Sequence, residues 1–359
     1  MSSSQLPAAG PPAEDLSRPL VDAEALERWL DAQLGGPGRV VVERHQAGHS
    51  NETFYVTRGS DHWVLRRPPR GAFLPTAHDV LREYRVLSAL ADTDVRSPRP
   101  IIACEDTVVI GVPFYLMEKV DGFVVRTELP PGFRDDAKAE VRRGIGEELV
   151  DALAELHAVD YRAVGLEGWG KPTGYLQRQI KRWSGQLELA TQFSRPLPDF
   201  VRIRDWLSEN VPEDADATIV HGDYKLDNVT LAPDAPARVL SIFDWEMSTI
   251  GDPLADLGWM LSYWREPSDP PNPLHPELDL MTAPGFSTRE ELLERYHERT
   301  GRSMSDIRFY TVLAVWKLGV LLEGSYARHI AGVTDDPFFA VLEEGIPAIG
   351  RQALELIDG

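Results

Sequence analysis

One cysteine in 359 residues, Cys104, leaves no partner for an intramolecular disulfide and too few thiolates for a multi-cysteine metal site. The thiol reads as a small buried apolar group, and a reducing compartment, the cytoplasm, is the expected setting. Positive charge is also short: 37 Lys and Arg stand against 57 Asp and Glu, a formal charge of -20. A nucleic-acid surface needs clustered cations to displace counterions, so no nucleic-acid partner is expected. Long apolar runs are missing too. The best in the C-terminal half, Val312 to Leu322, is interrupted by Lys317 and is too short for a bilayer, so no membrane role is expected. None of the nine histidines pairs in a recognised zinc motif, and neither Ser50 nor Ser248 lies in a Gly-x-Ser-x-Gly turn. Residues 1–20, rich in Ser, Ala and Pro, have neither a basic start nor an apolar core and read as a frayed leader. Nothing in the composition bears on oligomeric state.

What is present changes texture along the chain. From Arg39 to Val120, short β-branched runs separated by turns predict one antiparallel sheet, with strands at Val40–Val42, Thr53–Thr57, Trp63–Arg67, Pro100–Ala103 and Val108–Glu118. One helix, Ala77–Ala91, interrupts them, its Val80, Leu81, Tyr84, Leu87 and Leu90 forming one apolar face. Beyond Gly122 the pattern is helical, over Val141–Val159, Tyr175–Leu189, Phe200–Glu209, Arg289–Thr300 and Ser305–Ile330. Two short apolar runs break it, Thr218–Val220 before His221 and Val239–Phe243 before Asp244, and chemistry is expected where they end. The domain expectation is residues 21–116, a connection at 117–122, and a larger domain at 123–359.

The segment His221-Gly222-Asp223-Tyr224-Lys225-Leu226-Asp227-Asn228 places His, Asp and Asn at kinase catalytic-loop spacing, and Phe243-Asp244-Trp245-Glu246 stands where a metal-chelating aspartate follows. Further on, Gly251-Asp252-Pro253-Leu254-Ala255-Asp256 reads as a helix start, Asp252 capping and Pro253 in the first turn. Together with the loop Gln46–Glu52, the strand Trp63–Arg67, Glu83 and the segment Tyr115–Gly122, this order resembles the aminoglycoside phosphotransferase and choline kinase-like family. The run Asp244–Leu257 is most similar to the branch found as a kinase-like region of some acyl-CoA dehydrogenases.

The resemblance implies an α+β, bilobal protein-kinase-like fold, with an antiparallel sheet and one main helix in the first lobe and a larger, mainly helical second lobe. It implies an ATP-dependent kinase using Mg2+ to phosphorylate a hydroxyl of a small molecule, a hydroxy acid or hydroxyacyl compound more than an antibiotic. In that reading Asp223 is the base, Asn228 and Asp244 hold the metal, and His221 and Asp256 support the loop. Ser50 and Asn51 contact phosphate, Arg66 replaces the strand lysine with Glu83 as its partner, and main-chain atoms of Glu118 and Val120 meet adenine. Arg67 points the other way by alternation. Glu246 is either a further metal or substrate contact or a solvated glutamate, and His157 is a packed helix-terminal histidine. The acceptor pocket is expected on the last helices, from Trp316, Lys317, Glu323, Tyr326 and Arg328; a cation there favours an anionic acceptor, and glutamates favour an aminoglycoside or choline-like one. The lack of GxGxxG and the arginine leave open a nucleotide-binding pseudokinase, and His221, Asp223 and Asp244 leave open a metal-dependent hydrolase.

Overall fold

Short runs of β-branched and aromatic residues separated by turns make the first part of the chain a five-stranded antiparallel sheet. The computed structural model describes residues 19–45, 51–70, 79–270, 274–332 and 338–358, and the chain divides into two compact units, Met1–Ser88 with Arg99–Lys119 and Ala89–Pro98 with Val120–Gly359. In the first unit, β1 (Val40–His45), β2 (Glu52–Arg58), β3 (Asp61–Arg67), β4 (Pro100–Cys104) and β5 (Phe114–Glu118) lie in the order β1-β2-β3-β5-β4. Phe54, Val56, Trp63, Leu65 and Leu116 gather with Leu26 and Leu30 of α1 (Ala23–Leu34) and with Cys104 in one core. That helix was not foreseen, although Asp22 caps it by accepting the Ala25 N–H at 3.0 Å. The last strand begins at Phe114, not Val108, because Gly111 closes a turn at φ 88 and donates to the Thr107 carbonyl. Helix α2 (Val80–Leu90) carries Glu83.

The second unit is built on α3 (Arg143–His157), α4 (Tyr175–Phe193), α5 (Pro198–Glu209), α6 (Leu254–Tyr263), α7 (Arg289–Thr300), α8 (Ile307–Ile330) and α9 (Phe338–Asp358). The start of α7 matches the sequence reading because Thr288 and Glu291 form a reciprocal capping box. α9, which packs on α8, was missed. Four short strands, not two, interrupt these helices. β6 (Thr218–Val220) pairs antiparallel with β9 (Thr249–Gly251), and β7 (Val229–Leu231) with β8 (Val239–Ile242). Val220 thus faces Thr249 while Val229 faces Ile242, so the loops 221–228 and 243–248 run side by side between two paired ends. Among the described residues no helix is long and apolar enough to cross a membrane.

Helices α6 and α8 cross closely, and Gly258 permits it: a Cβ there would lie 2.7 Å from the Tyr310 carbonyl oxygen. In an exposed helix Gly→Ala gains about 0.5–1 kcal/mol. Here the clash is with backbone, so Gly258→Ala is expected to cost about 2–3 kcal/mol by overpacking. Urea unfolding should show a lower midpoint with an unchanged slope; a midpoint equal to the parent's would mean that the crossing yields.

Candidate active site

In the first unit, alternation along β3 sends Leu65 and Arg67 to one face and Arg66 to the other. Arg67 is fully buried, its guanidinium donating to the carbonyls of Leu20 and Pro68. Arg66 instead meets Glu83 of α2, with Nε 3.3 Å from Oε2 and Nη2 3.2 Å from Oε1, while its Nη1 donates to Thr53 Oγ1 at 3.0 Å. Glu83 is 1% exposed, and a carboxylate so buried needs donors on both oxygens. Asn51 Nδ2 and Tyr115 Oη supply the other two, each at 2.7 Å.

Tyr115 was not singled out by sequence reasoning, yet it faces Arg66 in the β3–β5 register, and that alternation is the signal that would have found it. The Asn51 side chain is a brace for Glu83. Ser50 lies outside the described residues. Glu118 spends its N–H on the Arg99 carbonyl at 2.8 Å, and Val120 belongs to the second unit.

In the second unit, Asp256 of α6 shapes the loop after β6. Its carboxylate, 1% exposed, accepts the backbone N–H of His221 at 2.6 Å and of Gly222 at 2.8 Å, and His157 Nε2 lies 3.3 Å away. Gly222 has φ 87 and a Cβ there would meet the Met247 carbonyl at 2.7 Å, so only glycine suits this position. His221 is fully buried: Nδ1 accepts the Asp223 N–H at 3.3 Å, which leaves the ring proton on Nε2 to bond the Phe243 carbonyl at 3.0 Å. Phe243 in turn donates its N–H to the Asn228 carbonyl at 3.1 Å. The two loops are clamped together on both sides of Phe243, immediately before Asp244. Asp244 itself sits at φ 66, ψ 63, the one left-handed non-glycine residue among those described.

Asp223 is thereby held with both carboxylate oxygens engaged. Oδ1 accepts Trp259 Nε1 at 2.7 Å, and Oδ2 accepts Asn228 Nδ2 at 2.8 Å and Lys225 Nζ at 3.1 Å. Burial pushes its pKa up, but the nearby charges of Lys225 and Lys317 outweigh that and keep the carboxyl below its ordinary range. Lys225 also bridges to Asp227 at 3.2 Å, and these two carboxylates hold its pKa up against burial. Neither Lys225 nor Trp259 had been given a role. A lysine two residues after the loop aspartate, and an indole one turn past Asp256 on α6, are the signals they left. For Mg2+, the oxygens of Asp244 and Asn228 are suitable hard donors, and Asn228 spends its amide nitrogen twice on Asp223, which turns its oxygen to other use. Glu246, half-buried, lies three residues downstream of Phe243 in the same loop.

Of the five helix residues proposed for the acceptor pocket, only Lys317 reaches this centre, its Nζ donating to the Gly222 carbonyl at 2.9 Å. Trp316 is fully buried with its N–H on the Phe200 carbonyl, and belongs to the core. Glu323, also fully buried, pairs with Arg195 at 3.3 Å, and the Arg195 guanidinium covers the Tyr326 ring at 4.5 Å; this cluster serves the α8–α9 packing. Arg328 is exposed and bonds Ser325 on its own helix. This mostly apolar helix carries no facing signal, because its polar residues fall on several sides. Asp252 accepts the Leu254 N–H at 3.0 Å as a helix-start residue, and also the Tyr310 hydroxyl at 2.7 Å.

This combination of a five-stranded antiparallel sheet carrying an Arg–Glu pair and a helical unit holding the HxD loop against the aspartate segment defines a kinase-like phosphotransferase fold. The chain belongs to the phosphotransferase enzyme family (APH), whose sequence pattern matches residues 41–305. It is 33% identical over 351 residues to human acyl-CoA dehydrogenase family member 11, covering 95% of this chain and 44% of that protein, so the chain spans less than half of that relative. Among solved structures, a Ralstonia eutropha protein provisionally named an aminoglycoside phosphotransferase is 34% identical with TM-score 0.77, over 93% of this chain and 98% of that one. A spectinomycin phosphotransferase solved with ADP and spectinomycin has TM-score 0.58 over 93% and 99% of the two chains; at 12% identity it shows the fold alone.

His157 connects the loop to pH. Its Nδ1 lies 2.7 Å from the Tyr296 hydroxyl, and burial lowers its pKa despite the opposing hydrogen bond and charge of Asp256. The unfolded imidazole titrates near 6.5. Between that value and the lower folded one, only the unfolded state takes up the proton, so stability falls as pH falls. Urea midpoints are expected to drop between about pH 7.5 and about pH 5.5, the range in which a histidine changes charge. His157→Gln should be less stable at the upper pH and lose less on acidification. Parallel curves for the two proteins would refute this.

Proposed function

We propose that the chain is an ATP-dependent small-molecule kinase that transfers the γ-phosphate to an alcohol, a hydroxy acid or hydroxyacyl compound, in the cytoplasm. The observation that carries the reading is Asp223: an ionised carboxylate fixed by Trp259, Asn228 and Lys225 on a loop tied through Phe243 to the Asp244 segment. An alcohol needs such a group to orient its hydroxyl and take its proton as the new P–O bond forms and ADP leaves. Asp223 stays charged below the usual carboxylate range, so it is available as a base throughout the neutral region.

Asp244 and Asn228 would hold Mg2+, which when bound neutralises charge on the phosphate oxygens. Arg66, oriented by Glu83, offers a permanent cation with fork geometry for phosphate, and Glu118 its carbonyl for the base. The hydroxy-acid or hydroxyacyl direction draws on the similarity to acyl-CoA dehydrogenase family member 11, and nucleotide use on membership of the phosphotransferase family.

The test is ADP formation with Mg2+ across a panel of hydroxy acids, hydroxyacyl compounds, amino alcohols and aminoglycosides. Asp223→Asn is expected to bind nucleotide as the parent does and to lose about 10²–10⁴-fold in transfer. Equal inactivity of both proteins with every acceptor, alongside intact nucleotide binding, would favour a pseudokinase; turnover without nucleotide would favour a hydrolase.

A further inference from the structure

A pocket opens in the second unit between α4, α6 and α8, behind the Gly222 turn, and is lined by Tyr175, Gln179, Trp183, Trp259 and Lys317. Lys317 Nζ sits 4.0 Å from the centre of the Trp259 ring and 5.7 Å from that of Trp183. Two indoles around an ammonium form the kind of aromatic cage that binds a ligand cation, and here the protein's own side chain fills it. The same Trp259 donates its N–H to Asp223. Lys317 is therefore no farther from the base than one indole ring and one hydrogen bond.

Apart from the Tyr175 hydroxyl, which can donate or accept, the side-chain polar groups left over in this pocket are donors. Lys317 uses one of its three N–H groups, on the Gly222 carbonyl. Gln179 commits its oxygen to the Trp183 N–H at 3.1 Å, which leaves its NH2. The acceptor that could balance them, Asp256, is already taken up by the loop backbone and His157. Arg182 adds a cation on Trp183, 5.1 Å from the ring. Burial pushes the Lys317 ammonium down to about 8, with Asp223 and Asp256 opposing, so the group is still charged at neutral pH.

We propose that Lys317, caged by Trp259 and Trp183, is the specificity-determining cation of the acceptor pocket, and that the phosphorylated alcohol carries a carboxylate within an indole's width of its hydroxyl. This inference rests on the kinase reading above. A cationic acceptor meets a filled cage and a like charge, whereas a carboxylate meets the two remaining ammonium N–H groups and the Gln179 amide.

The experiment compares kcat/KM for short hydroxy acids with that for their methyl esters and for amino alcohols of the same skeleton. A charge-assisted contact predicts an advantage of about 10–100-fold for each acid over its ester, with amino alcohols lowest. Lys317→Arg should keep that order, and Lys317→Met should bring acid and ester to within about threefold by removing the charged partner. As a measurement needing no variant, simple carboxylates without a hydroxyl should inhibit the parent protein competitively against acceptor, and the matching amides should not. Esters or amino alcohols used as well as acids, or amides inhibiting as well as carboxylates, would overturn the inference and leave the kinase reading standing. No transfer to any of the three classes would overturn the inference, and only inactivity that extends to hydroxyacyl compounds and aminoglycosides as well would remove the kinase reading with it.

Discussion

Burying Asp256 obliges the chain to find donors for it, and the donors it finds fix the loop. A carboxylate at 1% exposure costs several kcal/mol unless its oxygens are bonded. The N–H groups of His221 and Gly222 do this, and both are backbone, so the course of the chain into Asp223 is set by the position of α6. His221 extends the constraint to Phe243 and the following aspartate. Helix, loop and the Asp244 segment are one hydrogen-bonded object, and the Gly258 crossing decides where it stands.

A chain with net charge -20 collects two cations around Asp223, Lys225 and Lys317. Net charge governs solubility and long-range attraction, while local charge governs protonation and choice of ligand. The acidic composition therefore predicted nothing about this site, whose character is set by lysines.

Much of the architecture was legible. Short β-branched runs between turns pointed to the first sheet, three- and four-residue spacing to most helices, and the order of Arg66, Glu83, Asp223, Asn228, Asp244 and Asp256 to the family. The misses share a cause. β7 and β9 are three residues long and take their strand character from the partners they pair with, not from any local pattern. Trp316 and Glu323 were misplaced because α8 is buried on most sides, and a helix without a polar face does not announce which residues look toward a site. Tyr115, Lys225 and Trp259 act through contacts distant in sequence or hidden among core residues.

The left-handed backbone of Asp244 narrows what evolution can write there. The metal-binding role proposed for this position asks for a hard oxygen donor that also carries negative charge, which aspartate and glutamate both provide. Handedness asks for a residue that tolerates positive φ, which admits glycine, asparagine and aspartate and disfavours glutamate. Aspartate alone passes both filters, so neutral drift to the longer acid, harmless at many surface positions, is closed at this one by geometry before chemistry is consulted.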